Sequence, residues 1–424
     1  MSIRRPVLVF VLAFLVASGA MPAQADPLEH DEVERSVAGV KHPVDIAFGH
    51  DGHLYFASLT DRVVRRVALD TGVVDERFEV TFPDAVWKER TETGLFGIAM
   101  HPGFHANGVF YASYSSNVTG EWRNVLSRVT LLDRSGAADE EVLLTRPGGI
   151  FHNGGRVLVA DGHLWWTTGD ASDPFTNDPE VAGRPAQEDG VMRGKVLRLT
   201  LDGVPAEDNP WDDAAYTKGH RNVFGIAWDP VGKRMLATEN GNAKADEVNL
   251  LGPGGNYGWP ECEGRCEEPD PRFTDPVWQS ESTVAPTGMA WFRGAFWFGT
   301  FNQGDVMRMT ESDGEWVVEK VHHYGGTDKL PPRIVDVETG PDGKSVWFST
   351  WDEIYRMTFP EDPDHPANDP RTEGPYWWGA VADVDPQGED EPSKEAGRTT
   401  PAAGTFAFLI VLSLFMFFAA RRRH

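Results

Sequence analysis

The sequence predicts an all-β protein folded as a six-bladed β-propeller. Apolar and polar residues alternate, and turn residues interrupt the alternation about every 8–12 positions. One layout, an alternating strand, a turn with Gly or Asp and an aromatic-rich strand, recurs six times. Such units bury their apolar faces by stacking on one another, and radial stacking leaves only short, protected edges. A β-sandwich is the alternative, but it predicts no such recurrence.

The six repeats span the body of the chain, about residues 36–359. They begin, in order, at Pro43, Gly94, Gly154, Val223, Pro286 and Ile334. Because each repeat supplies one blade, we expect ligands at one end of the ring, where loops from several blades converge. The loops that interrupt the repeat are therefore the first place to look for a functional site.

Charge and cysteine content exclude several classes of protein. With 40% hydrophobic residues, the 424-residue chain has the composition of a globular protein. Its formal net charge of −26 repels phosphate backbones, so nucleic acid is not an expected partner. Its two cysteines rule out a cysteine-rich scaffold, and neither has the spacing to His that zinc motifs require.

The N-terminal segment predicts export. Residues 1–25 have the order of a secretory signal, with Arg4 and Arg5 first, an apolar run over residues 7–17 and a small-residue cleavage site ending at Ala25. A retained membrane anchor is the alternative, but the run is shorter than the roughly 20 apolar residues that span a bilayer. We therefore expect the body outside the cytoplasm.

The C-terminal segment predicts attachment to the cell surface. Residues 360–400 are rich in Pro, Asp, Glu and Gly, a composition typical of a flexible acidic stalk. Residues 401–420 are apolar and long enough to span a membrane, and the basic residues 421–424 are expected on its cytoplasmic side. The same order also resembles the sorting tails of prokaryotic surface proteins, so a retained span and a processed tail both stay open.

Two of the interrupting loops carry groups suited to catalysis and to anion binding. His152 precedes two glycines, and an imidazole in such a loop can act as a general base near neutral pH. A hydrogen-bonded surface histidine is the alternative. In residues 219–222, Arg221 and Asn222 place a guanidinium fork beside a carboxamide, a pair suited to a planar ligand with carbonyl or carboxylate groups. A structural arginine that caps a turn is the alternative there.

Two further loops suggest a cation site and an additional positive charge. Residues 239–260 combine acidic side chains with Gly-rich turns, and such hard oxygen ligands suit Ca²⁺, although a solvated acidic turn is the alternative. Arg333 places another cation before the last repeat. The sequence lacks the motifs of dinucleotide-binding proteins, P-loop proteins, serine hydrolases and zinc proteases.

Five long motifs occur in one order along the body. They are GLFGIAMHPGF from Gly94, FHNGGR from Phe151, GKVLRLTLDGVPAEDNPW from Gly194, GHRNVFGIAWDP from Gly219 and DEVNLLGPGGNYGWP from Asp246. Together they resemble the glucose/sorbosone dehydrogenase family, the soluble quinoproteins that oxidise aldose sugars with pyrroloquinoline quinone (PQQ). The resemblance implies an enzyme that converts aldoses to lactones, and with the predicted export and tether we expect a membrane component to accept its electrons.

The resemblance also implies roles for individual residues. His152 matches the catalytic base that removes the proton from the anomeric hydroxyl. Arg221 and Asn222 match a pair that holds oxygens of PQQ, and Arg333 matches the first of two arginines near the carboxylates of the cofactor.

A calcium site follows from the same resemblance. Gly241 and Asn242 lie where backbone carbonyls hold the calcium ion that polarises the quinone. Glu247 and Tyr257 match a further calcium site near the same turn. We therefore expect both PQQ and Ca²⁺ as cofactors.

Three positions depart from the family pattern. Val335 replaces the second arginine, Glu92 stands where a glutamine contacts the cofactor or the sugar, and Phe151 replaces the polar residue before the base. Each departure removes or inverts a polar contact, and losing one charge-assisted bond costs about 1.5–3 kcal/mol. These departures favour, as an alternative, a catalytically silent propeller that binds glycans or a protein partner. The acidic stalk permits a third interpretation, a calcium-stabilised structural surface protein.

Cys262 and Cys266 favour a disulfide, because two nearby thiols tend to pair in an oxidising compartment. A redox or metal role is the alternative, but no nearby histidine completes a soft ligand set. The bond would close a short loop just after the predicted calcium turn.

Overall fold

The structure is a computed structural model, and it describes residue 30 and residues 32–172, 183–242, 245–326 and 331–360. The predicted signal segment, most of the stalk and the predicted membrane segment lie outside these ranges. In the part of the chain that is described, no helix has the length and hydropathy needed to cross a membrane.

The described residues form six antiparallel sheets, which we number as blades 1–6 in chain order. Blade 1 contains β2 (Pro43–Phe48), β3 (His53–Ser58), β4 (Val63–Ala68), β5 (Val73–Val74) and β6 (Val80–Thr81). Blade 2 contains β7 (Leu95–Met100), β8 (Val109–Ser116), β9 (Arg123–Leu131) and β10 (Ala138–Pro147). Blade 3 contains β11 (Gly154–Ala160), β12 (His163–Thr168), β13 (Lys195–Leu199) and β14 (Ala215–Lys218).

The second half of the ring repeats this arrangement. Blade 4 contains β15 (Val223–Asp229), β16 (Arg234–Glu239), β17 (Glu247–Leu251) and β18 (Trp278–Gln279). Blade 5 contains β19 (Pro286–Phe292), β20 (Ala295–Thr300), β21 (Asp305–Ser312) and β22 (Glu315–His323). Blade 6 contains β23 (Asp336–Thr339), β24 (Ser345–Ser349), β25 (Glu353–Thr358) and, as its outermost strand, β1 (Glu32–Ala38). Two short helical segments, Phe104–Asn107 and Arg184–Ala186, complete the described secondary structure.

The ring is closed by the two ends of the body. β1 pairs antiparallel with β25, so the first described strand completes the last blade. The inner strands β2, β7, β11, β15, β19 and β23 contact their neighbours in this order, and β23 contacts β2. The prediction of a six-bladed propeller is therefore confirmed, and each repeat in the sequence forms the two inner strands of one blade.

Hydrophobic clusters fill the spaces between successive blades, because both faces of every blade are covered. Adjacent aromatic residues show how the strand period of two produces this packing. Trp166 lies in the cluster between blades 2 and 3, whereas its neighbour Trp165 lies in the cluster between blades 3 and 4. Burying one such side chain contributes about 1.5–3 kcal/mol. The aromatic-rich second strand of each repeat is thus the packing strand of the blade.

Candidate active site

All inner strands begin at the same end of the ring, which we call the mouth. The loops at residues 82–94, 148–153, 219–222, 240–242 with 245–246, and 331–335 lie there, before an inner strand or after the strand next to it. The candidate residues of four interrupting loops are therefore brought to one end of the propeller by topology, although up to about half of the chain separates them in sequence.

His152 is held on one side of its ring. Its Nδ1 atom lies 3.0 Å from Asp170 Oδ1 and 2.8 Å from Ser172 Oγ. The His152 side chain is 17% exposed, whereas that of Asp170 is fully buried. Among the described residues only Nδ1 is engaged, so Nε2 is the nitrogen that remains for a ligand. Because a carboxylate accepts the Nδ1 proton in a hydrogen bond, the tautomer with a basic Nε2 is favoured.

Asp170 is a functional residue that the sequence did not reveal. Its Oδ1 also accepts a hydrogen bond from Ser172 N at 3.0 Å, and its Oδ2 accepts one from Trp259 Nε1 at 2.9 Å. Arg193 donates to the backbone carbonyls of Asp170 and Ala171, both at 2.8 Å. An acidic residue two positions after the aromatic strand β12 was the available signal, but nothing in the sequence linked it to His152.

The loop that carries His152 is held from both sides. Glu92 Oε2 accepts a hydrogen bond from His152 N at 2.7 Å, and Asn153 Nδ2 donates to the Glu92 carbonyl at 2.8 Å. Beneath the loop, the buried Arg146 donates to the Asn153 carbonyl. The structure thus places Glu92 at the mouth, where its carboxylate contacts the backbone of the candidate base. His152 itself has a φ of 49°, a left-handed conformation that these contacts stabilise.

Arg221 and Asn222 connect three loops of the mouth. Arg221 Nη1 donates to the carbonyls of Asn240 and Gly241, at 2.9 and 2.8 Å. Asn222 Oδ1 accepts a hydrogen bond from Gly154 N at 3.1 Å, next to His152. Arg221 Nε is buried and has no hydrogen-bond partner among the described residues. Within the described ranges, Arg308 Nε on β21 and Arg356 Nε on β25 are unpartnered as well, so the position of Arg221 between three loops of the mouth, rather than the free N–H, makes it a candidate to bind a carbonyl or carboxylate ligand.

The predicted calcium turn is ordered by acidic side chains. Gly241 N donates to Asp246 Oδ1 at 2.9 Å, and Asn242 N donates to the Glu263 carboxylate. The Gly241 carbonyl accepts one bond from Arg221, and since a carbonyl has two lone pairs, one remains. These contacts leave the turn with main-chain oxygens as its possible cation ligands.

Glu247 lies in a buried polar cluster on blade 4. It stands opposite Glu239 in the strand pairing, and its Oε1 accepts a hydrogen bond from Gly264 N at 2.6 Å. Burial raises the pKa of Glu247 well above its usual range, and the neighbouring Glu239 raises it further. Asn249 Nδ2 donates to both carboxylates at 3.1 Å, whereas its Oδ1 is buried without a partner among the described residues.

Tyr257 uses its side chain for packing. Its ring stacks on His220 with centroids 4.8 Å apart, and its hydroxyl donates to the Leu250 carbonyl at 2.5 Å. Only the main chain of Tyr257 is therefore available to a cation. Across the described residues, no group of three His, Cys, Asp or Glu side chains has the geometry to hold a metal ion.

Arg333 and Val335 have different surroundings. The Arg333 guanidinium carbon lies 4.5 Å from the centroid of the Phe301 ring, and no ion pair joins it to another described residue. Val335 is 1% exposed and belongs to the hydrophobic cluster against which Phe301 and Trp351 pack. The second position is thus part of the core and supplies no cation to the mouth.

Cys262 and Cys266 form the predicted disulfide. The loop that it closes supplies two of the contacts described above, the Gly264 N–H that binds Glu247 and the Glu263 carboxylate that binds Asn242. The disulfide therefore lies behind the predicted calcium turn and limits the conformations of that loop.

Comparison with known proteins agrees with this geometry. The profile of the Glucose / Sorbosone dehydrogenase family matches residues 40–354. The chain belongs to this family. Membership confirms the prediction of a sugar-dehydrogenase-like oxidoreductase, and the six blades are those of the family fold.

Three relatives of this family member cover most of the propeller. The PQQ-bound form of aldose sugar dehydrogenase from Streptomyces coelicolor is 27% identical, with a TM-score of 0.67 over 78% of this chain and 99% of that chain. Aldose sugar dehydrogenase YliI of Escherichia coli is 26% identical over 71% of this chain and 85% of that protein. Quinoprotein glucose dehydrogenase B of Acinetobacter calcoaceticus is 28% identical over 57% of this chain and 55% of that protein.

Proposed function

We propose that the protein oxidises the anomeric hydroxyl of aldose sugars to the lactone, with PQQ as its cofactor. One observation carries the proposal: a histidine paired with a buried aspartate shares the mouth with an arginine N–H that has no partner. Such a reaction needs a base from the protein, and it needs a free hydrogen-bond donor for an anionic ligand. The names of the Streptomyces and Acinetobacter relatives support the same cofactor.

The residues of the chain handle the proton of the reaction. Asp170 holds the Nδ1 proton of His152, so that the Nε2 lone pair faces away from the carboxylate and accepts the proton of the anomeric hydroxyl. Asp170 stays in place because Trp259 and Arg193 bind its side chain and its backbone carbonyl, respectively. The buried carboxylate then stabilises the imidazolium that proton transfer produces.

The residues of the mouth also fit the cofactor. PQQ is an acidic planar molecule, and it supplies a two-electron acceptor for the hydride of the anomeric carbon. Arg221 would bind its oxygens through the unpartnered Nε, with Asn222 beside it, and Arg333 would bind a carboxylate from the other side. Glu92, predicted as a cofactor contact, would instead act on the loop that positions His152.

We also propose calcium in the predicted turn and near Glu247. Main-chain oxygens of Gly241, Asn242 and Tyr257 and the Glu247 carboxylate are hard donors of the kind that Ca²⁺ binds, and Glu239 adds a second buried carboxylate beside Glu247. Because the ion binds only the folded chain, calcium at one hundred times its Kd should stabilise the protein by about 2.7 kcal/mol. Thermal melts of metal-free protein with calcium and with chelator measure this. Equal melting temperatures would remove calcium from the proposal.

The decisive experiment adds PQQ and calcium to the purified protein and measures dye reduction across a panel of aldoses. His152→Ala should lower the rate by about 10²–10⁴-fold, because a general base is lost, while quinone binding persists. His163→Ala, on a strand of the same blade but away from the mouth, is the matched control and should keep full activity. No PQQ binding by the wild type, or equal rates for wild type and His152→Ala, would favour the silent glycan- or protein-binding propeller.

The cellular setting is part of the proposal and is supported by composition alone. We propose that the signal-like residues 1–25 direct export, that residues 401–420 tether the body, and that a membrane component accepts the electrons. Cell fractionation with mass spectrometry of both ends tests it. A protein that keeps residues 1–25 and is found in the cytoplasm would contradict export.

A further inference from the structure

Trp259 contacts both halves of the mouth. Its indole Nε1 donates to Asp170 Oδ2 at 2.9 Å, and the guanidinium carbon of Arg221 lies 5.5 Å from the centroid of its ring. We infer that Trp259 is a positioning residue that sets the basicity of His152 through Asp170 and supports Arg221 with its ring. The inference rests on the proposed function only in making His152 the base; the coupling of Trp259 to His152 is a property of the cofactor-free protein.

The indole is held rigidly between blades 3 and 4. Trp259 N donates to the Gly219 carbonyl at 3.0 Å, and its own carbonyl accepts a hydrogen bond from Gln187 Nε2 at 2.8 Å. A Cβ atom on Gly183 would lie 2.5 Å from Trp259 Nε1, so only glycine fits against this edge of the ring. The side chain is 5% exposed. Its hydrogen bond to Asp170 is therefore a constant feature of the mouth.

The two oxygens of Asp170 have separate duties. Oδ1 serves His152 and the Ser172 backbone, whereas the Trp259 N–H is the one donor to Oδ2 within the described ranges. A buried carboxylate oxygen that loses its donor becomes more basic, because nothing else stabilises its charge. The carboxylate would then attract the Nδ1 proton of His152 more strongly and stabilise the imidazolium.

Other charged groups surround the pair without replacing the indole. Arg193 binds the Asp170 backbone, and the buried Arg146 lies under the same loop. Burial, with the charge of Arg193 beside it, lowers the pKa of Arg146 to about 9, and Asp170 partly opposes this shift. Glu92 binds the His152 amide. All these groups keep their charges when Trp259 is replaced. The lost N–H alone therefore sets the direction in which the protonation midpoint of His152 moves.

Two substitutions separate the two duties of the ring. Trp259→Phe removes the N–H but keeps an aromatic ring for Arg221, whereas Trp259→Leu removes both. The measurement uses cofactor-free protein that contains calcium. NMR of labelled histidine follows the protonation of His152, and the His152→Gln variant assigns its signal. The protonation midpoint of His152 should move up by about 0.5–1 pH unit in both variants. PQQ affinity should stay within about twofold in Trp259→Phe and fall by about 2–5-fold in Trp259→Leu.

In the loaded enzyme, the acidic limb of the kcat profile should move up with the His152 midpoint, while KM stays constant. Trp297→Phe is the matched control, because its Nε1 also makes one buried hydrogen bond, to the Phe292 carbonyl at 3.0 Å, but away from the mouth. It should lower stability and leave the His152 midpoint unchanged. Should Trp259→Phe not fold, benzothienylalanine at position 259 removes the N–H with nearly the same shape.

An unchanged His152 midpoint in Trp259→Phe, or an equal shift in Trp297→Phe, would overturn the inference. The midpoint is measured without cofactor or sugar. A wild type that oxidises no aldose would therefore contradict the proposed function and leave this test standing, whereas full sugar oxidation with an unmoved midpoint would contradict the role of Trp259 alone.

Discussion

The protein buries charge in two regions, and the two regions treat it differently. At the centre of the ring, Arg156 on β11 contacts Asp45 on β2 and Asp336 on β23, at 3.0 Å for the second pair. We call these three residues the hub. Both carboxylates also accept backbone hydrogen bonds, from Ile98 N at 2.7 Å and Ile46 N at 2.8 Å. Every charged side chain of the hub therefore has an ion-pairing or hydrogen-bonding partner within the fold.

The mouth, by contrast, keeps polar atoms without partners. Arg221 Nε and Arg146 Nε are buried and unpaired among the described residues, and His152 uses only one of its ring nitrogens there. Unsatisfied buried groups cost free energy, and a bound ligand or an ordered water can remove that cost. Matched charge thus joins distant blades in the hub, whereas the loops of the mouth hold polar atoms that are available to a ligand.

Breaking the hub should have the largest effect on stability. Arg156→Met leaves two buried carboxylates without their cation, and removing one partner of a buried ion pair typically costs about 3–5 kcal/mol. Denaturant unfolding of the two proteins measures the loss.

Arg128→Met is the control for this substitution, because Arg128 also binds two carboxylates, Glu141 and Asp202, but at the surface. It should cost at most about 1 kcal/mol. If both substitutions had equally small effects, the hub would not be a structural cross-link.

Removing Arg221, whose Nε has no partner among the described residues, should instead weaken the binding of the ligand. Arg221→Met should lower PQQ affinity by about 10–100-fold, the loss of one charge-assisted contact of about 1.5–3 kcal/mol, with a smaller change in unfolding free energy. Titration of calcium-loaded protein with PQQ, followed by absorbance, measures it.

The matched variant is Arg234→Met, at the start of β16 in the same blade and paired with Asp229. Its PQQ affinity should equal that of the wild type. Equal affinities for wild type and Arg221→Met would mean that the unpartnered Nε does not mark the cofactor site.

The fold was predictable because its signal is local. Period-two alternation is visible within each short stretch of the sequence, and the repeated layout is visible when successive stretches are compared. Each repeat corresponds to the two inner strands of one blade. His152, Arg221 and Asn222 were predictable because topology brings loops that precede inner strands to one end.

Pairings between distant residues were not predictable. Asp170 lies 18 positions from His152 and Trp259 lies 89 from Asp170, and neither spacing follows a strand period. The hub joins residues 111 positions apart, through side chains that a single sequence gives no reason to match. The packing of the Tyr257 ring on His220 likewise depends on the fold of two loops.

The last test of the comparison is the pH dependence of the stability that the hub contributes. Burial raises the pKa of Asp45 well above its usual range, the charge of Arg156 opposes this rise, and the charge of Asp336 adds to it. Burial also raises the pKa of Asp336. With one cation for two carboxylates, the folded hub retains a proton that the unfolded chain releases. A raised folded pKa gives stability that is complete below the unfolded pKa, about 3.9, and is lost as pH rises through the folded value.

Asp45→Asn resembles the protonated form and does not titrate. The unfolding free energy of the wild type minus that of Asp45→Asn should therefore fall as pH rises from about 4 to 8, by about 1.4 kcal/mol for each unit of pKa difference. Asp75, whose pKa is lowered by its hydrogen bond with Arg66, should give the opposite slope in Asp75→Asn. A difference that rises with pH for Asp45 would mean that Arg156 holds both carboxylates ionised, so that the hub, like the mouth, carries unmatched charge.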